Sequence, residues 1–199
     1  HSIRNRGHGC GSAGVLPDND LFVTGVGTEV RRDLMHKCNL LTIRRLPTGI
    51  FYAQGVRTNV LFCTKGSPTN CYQDEDCTES VWVYDLRTNM PSFGKRTPFS
   101  EAHLKPFENV YGDDPHGQSP RTEGDWSFSA DEIDTPDNAE NEGVDDRLLT
   151  CRWRVFSRDW IRDTKSDSLD ISWLKDNNSI DAANLPEPSV LAAEAMGEL

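Results

Sequence analysis

Leu40-Leu41-Thr42-Ile43-Arg44-Arg45-Leu46-Pro47-Thr48-Gly49-Ile50-Phe51-Tyr52-Ala53-Gln54 is the stretch on which the fold turns. Its first half is rich in leucine and β-branched residues and reads as a strand. Pro47-Thr48-Gly49 supplies a fixed φ and a residue free to adopt positive φ, the chemistry of a tight turn. Ile50 to Gln54 then reads as the returning strand of a hairpin. Outward from it, Asn59 to Thr64 is a further strand, and Ser80 to Leu86 another. In the latter, Val81, Val83 and Asp85 share one face, while Trp82, Tyr84 and Leu86 share the other. Leu149, Cys151, Trp153 and Val155 alternate with Thr150, Arg152, Arg154 and Phe156 in the same way, as do residues 169–173. Leu21 to Val26 and Asp125 to Ser129 are shorter candidates.

Alternation of this kind describes sheets with one buried and one wet face. The pattern predicts a mainly β protein, an antiparallel sandwich or barrel of seven to nine strands. It allows long loops and at most one or two short helices. Residues 30–38 make the main helical candidate, with Val30, Leu34 and Cys38 on one face. The whole chain, 1–199, reads as a single domain. Residues 1–20 form an N-terminal loop, 131–146 an acidic loop with eight acids and no Lys or Arg, and 184–199 a tail. No stretch is apolar for long enough to span a membrane.

Six cysteines decide the reading of stability and compartment. Cys10, Cys38, Cys63, Cys71 and Cys77 lie in the first half, and Cys151 in the second. Only 36% of the residues are hydrophobic, a modest supply for a core. Three disulfides, each worth about 2–4 kcal/mol, would supplement such a core. The cysteine spacings lack the paired C-x₂₋₄-C pattern of structural zinc sites. The expectation is therefore a disulfide-stabilised, secreted scaffold. Six cysteines allow 15 pairings, and spacing does not choose among them.

Charge is unevenly placed. Residues 1–110 carry 13 Lys and Arg against 11 Asp and Glu, whereas residues 111–199 carry 8 against 21. The net charge is −11. An acidic surface argues against nucleic acid, whose phosphates require Lys and Arg. A monomer that meets a protein or carbohydrate partner through the loops at 65–80 and 89–120 is the expectation.

Candidate site residues follow from residue chemistry. An N-terminal His1 can chelate copper through its amine and Nδ1, with a second imidazole from His8, His36, His103 or His116. In that single residue and the expected β-sandwich, the chain resembles lytic polysaccharide monooxygenases. The resemblance implies copper as cofactor and an extracellular polymer as substrate. Trp126 and Trp160 are candidate binding aromatics. Asn177-Asn178-Ser179 is a glycosylation sequon at Asn177. In the acidic loop, Asp137, Ala139 and Asn141 have ligand-like spacing, but Glu142 and Leu148 stand where a calcium loop needs Gly and Glu. Glu79, Asp85, Glu101 and Glu108 are candidates for a carboxylate pair. No phosphate loop, dinucleotide fingerprint or Gly-x-Ser-x-Gly elbow is present.

Two functions are consistent with these features. The first is a non-catalytic, effector- or toxin-like secreted binding protein without a cofactor. The second is an extracellular polymer-active enzyme, working either through copper at His1 or through carboxylate hydrolysis.

Overall fold

The computed structural model describes residues 11–51, 56–123 and 151–174. Five strands form one mixed sheet: β1 Gly11–Pro17, β2 Cys38–Arg45, β3 Thr58–Lys65, β4 Ser80–Asp85 and β5 Trp153–Ser157. Their order across the sheet is β1-β3-β2-β4-β5. Strand β3 lies antiparallel between β1 and β2, so β1 and β2 run the same way. Strand β4 is parallel to β2, and β5 returns antiparallel to β4. The helices α1 (Asp18–Phe22) and α2 (Val26–Lys37) connect β1 to β2. Parallel strands need a crossover of this kind, because no tight turn can join them.

The sheet is covered on both faces. On one face, Met35 of α2 packs with Leu40, Ile43, Leu61, Val81 and Val83. Leu21, Ile161 of α4 (Arg158–Asp163) and the segment bearing Leu169 and Ile171 close that side. On the other face, Phe107 and Tyr111 of α3 (Lys105–Tyr111) pack on Tyr84 and Trp153. Trp153 and Tyr84 are fully buried. Burying aromatic side chains of this size stabilises by roughly 1.5–3 kcal/mol each. Trp82 stacks on Trp153 at 4.8 Å between ring centroids.

This arrangement corrects the expected antiparallel sandwich or barrel. Strand β2 is buried along almost its whole length, on both faces, which is the hallmark of a layer sandwiched between helices. The hairpin is displaced as well. The partner of β2 is Thr58–Lys65, with a bulge between Leu40 and Thr42. Thr48 to Phe51 form a turn, and 52–55 lie outside the described residues. Residues 11–17, expected as loop, are strand β1, whereas Leu21 to Val26, expected as a strand, spans the end of α1 and the start of α2. Four helices and a short 3-10 turn at Glu101–His103 exceed the expected one or two. Residues 169–173 form no strand although they pack in the core.

Helix α2 is also rotated from its expected face. Val30 is exposed, while Arg31 and Met35 point inward. The Arg31 guanidinium donates to the carbonyls of Asp167 (2.9 Å) and Asp20 (3.1 Å), which is why a charged side chain can be buried there.

Among the described residues no disulfide supports the fold: Cys38, Cys63, Cys77 and Cys151 are free cysteines, and Cys10 lies outside the described residues. Two packed apolar layers do the work assigned to cross-links. Among the described residues, no helix is long and apolar enough to cross a membrane.

Candidate functional site at the carboxyl edge of the sheet

Strands β1, β2 and β4 run in the same direction and end at one edge, at Pro17, Arg45 and Asp85. Open sheets of this type bind ligands outside the carboxyl ends of their parallel strands. Three loops emerge there: the start of α1 after β1, residues 46–57 between β2 and β3, and the arm that follows β4.

Two carboxylates, the half-buried Asp18 and the fully buried Asp85, organise this edge. Asp18 receives a two-pronged grip from Arg87, with Nη1 to Oδ2 at 2.7 Å and Nη2 to Oδ1 at 3.0 Å. Asn59 Nδ2 donates to the same carboxylate at 2.7 Å. Arg87 then reaches both feet of the 46–57 loop, donating from Nε to the Leu46 carbonyl (2.9 Å) and from Nη2 to the Thr58 carbonyl (2.8 Å). One guanidinium thus joins α1, β3, the loop and the arm.

Asp85 is the second centre. Arg45 Nη1 donates to its Oδ2 at 3.1 Å, Thr88 Oγ1 to Oδ2 at 2.8 Å, and the Arg87 and Thr88 amides to Oδ1 at 2.8 Å each. Burial alone would raise this carboxyl, but Arg45 and those hydrogen bonds outweigh it and hold Asp85 below the usual carboxylate range. Arg45 also meets Asp170 and the Ile171 carbonyl.

Beside this network opens a cavity of about 480 Å³, bordered by Asp18, Asn19, Arg45, Arg57 and Asp170. The loop that follows β2 carries Phe51, an aromatic side chain 51% exposed. The arm after β4 is braced against that loop. Phe93 donates its amide to the Thr48 carbonyl at 3.0 Å. Gly49 sits at φ +86°, so close that an added Cβ would lie 1.9 Å from the Phe93 carbonyl oxygen. Only glycine is accommodated there.

Of the residues singled out from the sequence, Asp85 alone belongs to this edge among the described residues. His1, Trp126 and Asn177 are outside the described residues, as is His8. His36 pairs with Asp76, and His103 bonds within its own turn to Ser100. Among the described residues, no cluster of three or more His, Cys, Asp or Glu could hold a metal ion. Trp160 is partly buried against Phe156, at 4.9 Å between rings. Of the candidate carboxylates, Asp85 is locked in its ion pair, Glu108 pairs with Lys105, and Glu79 and Glu101 are exposed. Asp18, Arg45 and Arg87 were missed. The available signal was Pro17-Asp18-Asn19-Asp20 directly after the apolar Val15-Leu16, a strand end running into helix-capping residues.

Comparison with known proteins places this architecture. The family model for N-6 DNA Methylase matches residues 1–154. The chain is 68% identical over all 199 residues to the type I restriction enzyme EcoKI methylase subunit of Escherichia coli K12. It is equally similar to the StySJI methylase subunit of Salmonella typhimurium LT2. In both cases the match covers 100% of this chain and 38% of the relative. The crystal structure of the EcoKI M protein superimposes with a TM-score of 0.80 at 67% identity, over 96% of this chain and 38% of that one.

These findings overturn the secreted, effector-like binding protein, and with it the copper and glycosidase alternatives. Exclusion of nucleic acid is withdrawn, since a DNA methylase acts on one. The monomer expectation is withdrawn too, since the relatives are named as subunits. The extracellular assignment rested on oxidised cysteines and falls with the free thiols and the homology. The chain belongs to the N-6 DNA methylase family.

Proposed function

We propose that this chain forms the DNA-facing portion of a type I restriction-modification methylase subunit that transfers a methyl group to adenine N6. The observation that carries the reading is the 68% identity over the full 199 residues to the EcoKI methylase subunit. The chain spans 38% of that relative's length, so the complete reaction belongs to the longer protein. A cytoplasmic location, in contact with host DNA, goes with this function.

The edge geometry supports a role on the substrate side. Enzymes that modify a base must take it out of the duplex and hold it against aromatic or apolar side chains. Phe51 is exposed at the carboxyl edge, on a loop whose feet are fixed by Arg87 and whose crest is braced by Phe93. An exposed aromatic side chain in that position can stack on an extruded adenine. No contact to the family's methyl donor, S-adenosylmethionine, is assigned to the described edge cavity, whose charged lining of Arg45 and Arg57 against Asp18 and Asp170 is balanced.

The test is methyl transfer from labelled donor to DNA by the intact subunit assembled with its partner subunits, with nucleoside analysis of the product. N6-methyladenine is the expected product. Absence of DNA methylation by the assembled wild-type protein overturns the reading. Phe51→Ala is expected to lower kcat by 10-fold or more with a smaller change in DNA affinity, because stacking acts after encounter.

A further inference from the structure

We infer that Arg57, Lys95 and Arg96 form a cationic rim that grips the DNA phosphates on either side of the base held at Phe51. The inference rests on the proposed function and assigns to named residues the backbone contacts that such a site needs.

The first observation is an imbalance in pairing. The chain is strongly acidic, and even its exposed cations tend to be answered. Lys37 pairs with Asp33, Lys105 with Glu108, and Arg162 with Asp159 and Asp163. Arg57, Lys95 and Arg96 are exposed, yet none forms an ion pair among the described residues. Three free cations on a protein of net charge −11 stand out only if they share a place, and they do.

The second observation is that shared place. Arg57 is at the descending foot of the 46–57 loop, where its carbonyl accepts the Asp18 amide at 2.9 Å and its side chain borders the edge cavity. Lys95 and Arg96 occupy the tip of a turn closed by the Gly94 amide to the Thr97 carbonyl at 2.9 Å. That turn is pinned to the crest of the same loop by Phe93 against Thr48 and Gly49. Behind it, Phe93 packs on Phe99 (5.0 Å) and His103 (4.9 Å), so the turn stands on an aromatic base. From the Phe93–Thr48 contact, Phe51 is three residues away and Lys95 two. At about 3.5 Å per residue, the two Cα atoms lie within roughly 20 Å. DNA rises 3.4 Å per nucleotide on each strand. Lys95 and Arg96 therefore lie within about six phosphates of a base stacked on Phe51, and Arg57 stands at the foot of the same loop.

The third observation is the contrast with the other arginines. Arg44 lies over Phe107 at 4.7 Å and Arg121 over Tyr111 at 4.5 Å, within the packed face of the sheet. Those guanidiniums serve packing. The rim cations extend from backbone that is held in place, and nothing among the described residues pairs with their charge.

Salt-dependent DNA binding tests the inference on the intact, assembled protein. Each lost phosphate contact lowers the slope of log K against log salt by about 0.9. Arg57→Ala, Lys95→Ala and Arg96→Ala are each expected to lower it by about 1, and the triple variant by about 3. The loss should be uniform across DNA sequences. Lys105→Ala, which removes an already paired cation, should leave the slope unchanged. Thermal unfolding is not expected to move, since all three side chains are exposed, and the single variants serve if the triple variant melts early. Wild-type methylation of DNA together with an unchanged slope in the three single variants overturns the rim alone. Failure of the wild-type protein to methylate DNA overturns the proposed function instead.

Discussion

Replacing Arg87 by methionine removes the side chain that joins α1, β3 and the loop after β2 at the carboxyl edge. Five hydrogen bonds disappear: two to Asp18, one each to the Leu46 and Thr58 carbonyls, and a longer one to Asn59 Oδ1 at 3.3 Å. Some partners keep other bonds. Thr58 still accepts the Leu46 amide at 3.0 Å, and Asp18 still accepts from Asn59. The dominant cost is the Asp18 carboxylate. Its side chain is 16% exposed and that of Arg87 is 9% exposed, so the pair sits largely out of water. Breaking a buried pair by removing one partner costs about 3–5 kcal/mol. For a protein of this size, that lowers the melting temperature by roughly 6–20 °C. Asp18→Asn should cost less, because the amide keeps the shape and leaves no buried negative charge. The pair is best isolated by a double-mutant cycle with Arg87→Met and Asp18→Asn, read by urea unfolding of the intact protein. The expected coupling is about 1.5 kcal/mol or more. A coupling below about 0.5 kcal/mol would show that the clamp is decorative and that the loop is held by other contacts.

Asp85 makes stability depend on pH. Its folded carboxyl is held below the unfolded value of about 3.9, so its contribution is present above that pH and is lost as pH falls through the folded value. Unfolding free energy should therefore drop below about pH 4, and Asp85→Asn should show a shallower drop; an identical pH profile would refute the assignment. Gly49→Ala places a Cβ against the Phe93 carbonyl oxygen at positive φ, and a loss of about 2–4 kcal/mol is expected by thermal unfolding. Equal stability would mean that the arm is not braced on the loop. The Cys38 thiol is pushed up to about 11, first by burial and then by the neighbouring Cys63 and Cys77. At pH 8 it should carry about 200-fold less thiolate than a free cysteine, and react correspondingly slowly with a disulfide reagent. Unfolded without reductant, the protein should yield at least four titratable thiols; two or fewer would restore the cross-linked scaffold.

The errors of sequence reading share a physical origin. Free cysteine is among the most buried side chains and behaves as a small hydrophobe. Cys38, Cys63, Cys77 and Cys151 are core residues, a role that spacing cannot distinguish from a bridge. Net charge misled in a similar way. The acids sit mostly in residues 111–199, whereas contact with a polyanion depends on a few unpaired cations at one edge. Pairing is a property of folded neighbours, so the sum over the chain did not reveal it.

By itself the sequence determined which segments are strands in the centre of the sheet. Residues 40–46, 59–64 and 80–86 were legible because β-branched and aromatic residues recur there between strong turn signals. The two faces of β4 were legible too, because the strand period of two is strictly local. Only the tertiary structure decided that β1 and β2 run parallel, with β3 inserted between them, and that helices cover both sides. Strand direction and partner are set by contacts between segments tens of residues apart, and no local period encodes them. The edge network is of the same kind: Asp18 and Arg87 are 69 residues apart, and only the ordering of strands brings them to 2.7 Å.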